Sequence, residues 1–170
     1  MPTYNIGFCE KLIEAARYVF EQEMESVDAQ RTVLYLSRLA CEIILKALLE
    51  KAGRPITEIR KHNHNLSSLL RDVDKCKVRV EVVKNFCRWT SATRLRAITV
   101  DSRFSNATVG TFLTAEERGS SKYPNEIRYG SSIEDYPPGL VLKTAALVME
   151  WSKTHWEDIK LQSTENGLVK

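Results

Sequence analysis

Three short stretches of this chain combine residue types able to hold or move charged groups. Glu42 and Lys46 stand one helical turn apart in the orientation that favours attraction, and Arg38 and Glu50 extend the same row. That spacing fits a structural ion-pair row, or a Lys46 that contacts phosphate while Glu42 holds it in place. His62-Asn63-His64-Asn65 precedes the apolar run Leu66 to Leu70, and His155 is the remaining histidine. Three imidazoles could hold zinc, but the close pair has no acidic or Cys ligand beside it, so no metal is expected. Capping is the more economical use, because His64 or Asn65 can satisfy free amides at a helix start. Arg128-Tyr129 offers a guanidinium that can grip phosphate through two donors and a phenol that can stack on a base. The same pair could equally pin its loop onto the body of the protein. Arg88-Trp89, Arg94 and Arg96 join positive charge to an aromatic plane, as nucleic-acid surfaces do, yet Trp89 falls in register with Phe86 and reads as core. No Gly-rich phosphate loop, Ser/His/Asp order, acidic metal cluster or paired carboxylates stands out, so enzymes built on those chemistries are not expected.

The elements that must position these residues read as helices. Phe8, Leu12, Ala15/Ala16, Val19 and Phe20 recur at spacings of three and four, predicting a helix from about Asn5 to Met24. Ser26 and Asp28 can cap a second helix whose core segment, Val33 to Leu49, has an apolar surface too wide for one neighbour, which places it at the centre. Gly53 can close it in the left-handed conformation, and Arg54-Pro55 resists continuation. Asn63 or Asn65 can cap a third helix that ends near Lys75. Val78, Val80 and Val82 alternate as a strand would, but Val82/Val83, Phe86, Trp89/Thr90 and Thr93 continue at helical spacing, so a fourth helix is expected there. Residues 99–136, with three Gly and one Pro among many Ser, predict a long irregular excursion, with one short turn at Thr114-Ala115-Glu116-Glu117. Pro137-Pro138 suits the start of a last helix through Trp151/Ser152. The expected fold is therefore all-α: an antiparallel up-and-down bundle of four to five helices with a long irregular loop before the last one. One domain over 1–162 and a flexible tail over 163–170 are expected.

Composition narrows the class of protein. A chain of 170 residues that is 43% apolar and 28% charged can bury an ordinary core without staples. Cys9, Cys41, Cys76 and Cys87 form no Cys-x-x-Cys pair and read as reduced thiols. No run approaches a membrane span and the amino terminus lacks a secretory layout, so a cytoplasmic location without membrane attachment is expected. The net charge of +3 is uneven, since residues 71–96 hold eight Lys/Arg against three acids. Such a segment can attract phosphate-bearing partners or simply be a solvated face.

The run from Tyr35 to Leu49, followed by His64-Asn65-Leu66 before Leu69-Leu70, and then Glu126-Ile127-Arg128-Tyr129-Gly130 before the last helix, resembles the HEPN domain family over roughly residues 8–155. That family consists of small helical bundles common in prokaryotes. Its second helix commonly carries a Glu and a Lys one turn apart, matched here by Glu42 and Lys46, with a His before an apolar helix, matched by His64. Its Arg-Tyr-Pro segment is matched by Arg128-Tyr129-Gly130, with Gly where Pro is usual. The resemblance implies a homodimer, and for catalytic members a metal-independent ribonuclease in which Arg and His lie roughly four to six residues apart. There His moves a proton and Arg stabilises charge developing on phosphate. Here seven residues separate Arg54 from His62, three separate Arg60 from His64, and the nearest Arg before His155 is Arg128.

These readings make the chain a HEPN-like interaction module, non-catalytic, without cofactor, that binds nucleotide or RNA phosphate. The ligand-binding candidates are Lys46, Glu42, His64, Asn65, Arg128 and Tyr129. One alternative is a toxin-antitoxin or phage-defence ribonuclease with an unconventional His64/Arg128 site; another is a structural partner of a nucleotidyltransferase.

Overall fold

The computed structural model describes residues 3–22 and 25–162. Helix α1 spans Ile6–Gln22 and α2 spans Val27–Lys51. The expected end of the first helix at Met24, and the tail expected over 163–170, lie outside the described residues.

Local chemistry explains both ends of α2. The Ser26 side chain accepts from the Ala29 amide at 3.3 Å, and Asp28 sits in the first turn, where the helix dipole favours a negative charge. At the other end Gly53 takes φ +99°, and the amides of Gly53 and Arg54 bond the carbonyls of Glu50 and Leu49. That is the left-handed closure which a residue without Cβ allows at no steric cost. Helix α2 packs against α1 on one side, α7 (Pro138–His155) on another and α4 (Leu66–Asp74) on a third. Its Val33, Ala40, Ile44, Leu45, Leu48 and Leu49 are fully enclosed. The central placement read from its broad apolar surface holds.

The expected all-α bundle does not. Residues of the expected fourth helix form an antiparallel hairpin, β1 (Cys76–Val83) and β2 (Phe86–Ser91), and a third strand, β3 (Ile159–Leu161), pairs with the other edge of β1. The fold is mixed, a helical body carrying a three-stranded sheet in the order β2-β1-β3. The alternation of Val78 and Val80 with Lys77, Arg79 and Glu81 was the physical signal: Cys76 and Val78 face the core, and Arg79 and Glu81 face solvent. Asn85, at φ +68°, turns the chain between the strands. The competing helical stripe had no core to cover, since Val82, Val83, Phe86 and Trp89 are all exposed.

The segment 99–136 is also more structured than its composition suggested. It holds two five-residue helices, α5 (Val109–Leu113) and α6 (Asn125–Tyr129), a 3-10 turn at Ala115–Arg118 and a bridge between Thr99 and Thr108. Val100, Val109, Phe112, Leu113, Tyr123 and Ile127 of this segment are buried. Helices this short are invisible to periodicity, which needs more than a turn or two. A further short helix, α3 (Ile56–Arg60), bridges α2 and α4. The turn after Thr114 forms, but the Thr114 hydroxyl bonds back to the Gly110 carbonyl instead of capping it.

Arginines on α2 fasten this segment. Arg38 Nε and Nη2 donate to the Asp135 carboxylate at 2.5–3.0 Å, and its Nη1 donates to the Phe112 carbonyl at 3.3 Å. The two side chains are 2% and 1% exposed. Arg31 donates to the carbonyls of Ile127 and Gly130, closing the carboxyl end of α6. Removing one partner of a buried pair leaves an uncompensated charge, which typically costs about 3–5 kcal/mol. Asp135→Ala should therefore lose about that much unfolding free energy in a urea titration. The paired substitution Arg38→Met with Asp135→Leu should recover most of it; equal losses in both variants would contradict the charge-based explanation.

Candidate functional site

Glu42 lies on the face of α2 turned toward the start of α4 and the 115–125 segment, and it is only 4% exposed. A buried carboxylate must have its oxygens satisfied, and three donors converge on it. Lys46 Nζ lies 2.7 Å from Oε1, Tyr123 Oη lies 2.8 Å from Oε2, and His64 Nδ1 lies 3.0–3.1 Å from both. A carboxylate only accepts, so Nδ1 carries the proton of that bond and Nε2 is left as the open nitrogen. The His64 side chain is 56% exposed, and its ring meets Tyr123 edge-on.

This geometry separates residues that the sequence treated together. Lys46 is 8% exposed, committed to Glu42 and set against the Tyr4 ring, so it has no reach to an external phosphate. The row extended in sequence by Arg38 and Glu50 is not one network: Arg38 pairs with Asp135, and Glu50 accepts from the amides of Thr3 and Tyr4. Asn65 caps α4 through the Ser68 amide at 2.8 Å, while Asn63 turns the chain at φ +50°. Arg128 lies over the Tyr35 ring at 4.8 Å, and Tyr35 in turn meets Tyr123. Two rings therefore stand between the Arg128 guanidinium and His64. Tyr129 is 79% exposed.

The two neighbouring histidines have different tasks. Both nitrogens of His62 are engaged, Nε2 with Asp72 at 3.0 Å and Nδ1 with the Ser68 hydroxyl at 2.5 Å. Burial acts to raise the Asp72 carboxyl, but the bond to Lys75 and the charges of Arg54, Lys75 and His62 outweigh it and hold the carboxyl below its ordinary range. His62 thus ties the connection before α4 to the helix itself. His155 is elsewhere, against Trp151, with burial lowering its proton affinity. Among the described residues no group of three or more His, Cys, Asp or Glu could hold a metal ion.

His64 opens on a cleft of about 610 Å³ bounded by Lys61, His62, Asn63, Asn65 and Ser68 on one wall and by Glu116 and 122–126 on the other. The Glu116 and Glu126 carboxylates turn back to the amides of Tyr123 and Lys122, at 2.8 and 2.7 Å. Lys61 and Lys122 have no ion-pair partner among the described residues. Sequence reasoning missed Tyr123, Lys61 and Lys122. No spacing rule links Tyr123 to Glu42, 81 positions away.

No known family model matches the chain, and neither the curated proteins nor the solved structures contain a match. Among the described residues no helix is long and apolar enough to cross a membrane.

Burial, then the adjacent Glu42 charge and its hydrogen bond, raise the Tyr123 phenol above its ordinary value of 10.0. The folded state therefore keeps this proton when the unfolded chain releases it, so stability present below pH 10 falls as pH rises beyond it. Tyr123→Phe should unfold about 1–2 kcal/mol more easily at neutral pH, from the lost bond to Glu42. Above pH 10 its stability should decline less steeply than the wild type's, by up to about 1.4 kcal/mol per pH unit. Parallel pH dependences from pH 9 to 12 in chemical denaturation would contradict this.

Proposed function

We propose that this chain is a HEPN-like module that binds a nucleotide or RNA phosphate in the cleft beside His64, without cleaving it. The observation that carries this reading is the Glu42–His64 pair: a buried carboxylate fixes the imidazole through Nδ1 and leaves Nε2 open on a cleft that two unpaired lysines also line. Ammonium donors suit phosphate oxygens, the open Nε2 can accept from a ribose hydroxyl or a base N–H, and a cleft of about 610 Å³ falls within the usual range for small-molecule sites. The kinship itself rests on the order of Glu42, Lys46, His64-Asn65 and Arg128-Tyr129. It gains support from the central position of α2 and from the Glu42–Lys46 pair being buried beside His64. The sheet is then an addition to that helical plan.

The working ligand contacts are Lys61, Lys122 and His64. Glu42, Lys46 and Tyr123 position them, and Arg128 braces the cleft wall through Tyr35. Lys61→Ala combined with Lys122→Ala should weaken binding of a nucleoside triphosphate about tenfold at low salt by calorimetry, the effect of removing two solvent-exposed ion pairs of about 0.7 kcal/mol each. Affinity equal to the wild type's would remove the cleft as the site.

One observation favours a second reading. An imidazole held by a carboxylate with its far nitrogen open is also the arrangement of a general base. A homodimer in which Arg128 comes from a second copy would then make a metal-independent ribonuclease. That reading requires RNA cleavage in the presence of chelator, lost in His64→Ala. RNA left intact after prolonged incubation with pure protein would exclude it.

A further inference from the structure

The outer face of the sheet is a separate surface that the cleft does not explain. Strand register puts Lys77 opposite Ser91, Arg79 opposite Trp89 and Glu81 opposite Cys87, while Lys77 pairs across its other edge with Lys160. Directly paired residues share a face, so Lys77, Arg79, Trp89, Cys87 and Lys160 stand together on the side away from buried Cys76, Val78 and Ile159. Lys160 Nζ sits 3.8 Å from the Trp89 ring centroid. Since β1 lies between their strands, the indole is laid across the sheet toward β3.

The charge on this sheet is uncompensated. Lys77, Arg79, Lys84, Arg88 and Lys160 have no ion-pair partner among the described residues. Glu81 is the one acid in the three strands and the Lys84-Asn85 turn, and it accepts from the Asn85 amide at 3.0 Å. Arg54, Arg71, Arg96 and Lys51 of the helical body, by contrast, are paired with carboxylates. Trp89 is 41% exposed, and Phe86 near the hairpin turn is also exposed. An accessible indole among clustered cations on an open sheet face offers stacking and phosphate neutralisation at once, the two terms by which single strands are held.

We infer that the outer face of β1, β2 and β3 docks single-stranded nucleic acid, with a base stacked on Trp89 and flanking phosphates taken by Lys77, Arg79 and Lys160. Charge complementarity selects a polyanion as occupant. The flat aromatic ring selects one with unpaired bases over a duplex or an acidic peptide. This surface shares only phosphate chemistry with the cleft reading, and its residues are distinct from those of the cleft.

The test uses the full chain and a fluorescein-labelled oligouridylate of about 12 nucleotides, within the usual site size of a single-strand binder. Binding read by anisotropy should weaken about 5- to 150-fold in Trp89→Ala, the range for loss of one stacked base. In the triple variant of Lys77→Ala, Arg79→Ala and Lys160→Ala, the slope of log affinity against log salt should shrink by about 2, or roughly 0.7 per charge. Cys87 gives an independent readout. It is the exposed cysteine of the four, whereas burial pushes the thiols of Cys9, Cys41 and Cys76 up to about 12, 12 and 11. The oligonucleotide should slow maleimide labelling of Cys87 in the wild type.

The Lys61→Ala/Lys122→Ala double variant separates the two sites. In that variant, oligouridylate binding that still depends on Trp89, alongside loss of nucleoside triphosphate binding, supports two independent surfaces; complete loss of both ligands overturns this proposal. Wild-type affinity in Trp89→Ala, equal binding of a duplex of the same length, or equal competition by poly-glutamate would each overturn it as well. Trp89, Lys77, Arg79 and Lys160 are all on the sheet's outer face, and far-UV circular dichroism matching the wild type is the check that each variant remains folded.

Discussion

The organisation of this protein depends on the burial of three charged side chains along one central helix. Arg38, Glu42 and Lys46 lie at successive turns of α2, and all three are largely removed from water. Desolvating a charge costs several kcal/mol unless an opposite charge or good hydrogen bonds replace the lost water. Helix α2 answers part of that demand itself, through the Glu42–Lys46 pair. The rest must come from elsewhere in the chain: Asp135 and the Phe112 carbonyl for Arg38, and His64 and Tyr123 for Glu42. Segments far apart in sequence are thereby drawn to the same helix.

That requirement links the fold to the candidate site. Residues 99–136 have only short helices, and apolar contacts from Phe112, Leu113 and Ile127 bury them without specifying a unique orientation. The directional bonds to Arg31, Arg38 and Glu42 supply it, and in doing so they build one wall of the cleft. The opposite wall is set by the connection into α4, where Asn65 caps the helix and His62 is locked between Ser68 and Asp72. His64 lies between the walls, its ring orientation dictated by the buried carboxylate. The residues most deserving of functional interest are thus partly products of a structural necessity.

The sheet follows a different logic. Its inner face adds Cys76, Val78 and Ile159 to the common core, and the Leu161 amide bonds to the Ala52 carbonyl at the end of α2. Its outer face is open, and the hairpin as a whole holds four cations against the single acid Glu81. The uneven charge distribution visible in the sequence is therefore real in space, concentrated on a hairpin instead of along one side of a helix.

Sequence alone determined the features that arise within one turn or one connection. The ends of α2 at Ser26 and Gly53, the Asn65 cap, the start of the last helix at Pro137-Pro138 and the centrality of Val33 to Leu49 were legible because caps, turns and apolar spacing act over a few residues. Glu42 and His64 were singled out for their chemistry, but nothing in their spacing shows that they touch. Tertiary structure alone decided whether residues 76–91 would be helix or hairpin, since both periods were present and the choice rested on which valines found a core. It also decided that Lys46 is spent on Glu42, and that Tyr123 completes the site from 81 residues away. A buried charge recruits whichever donor the folded chain brings within reach, and that distance is not encoded in any local pattern.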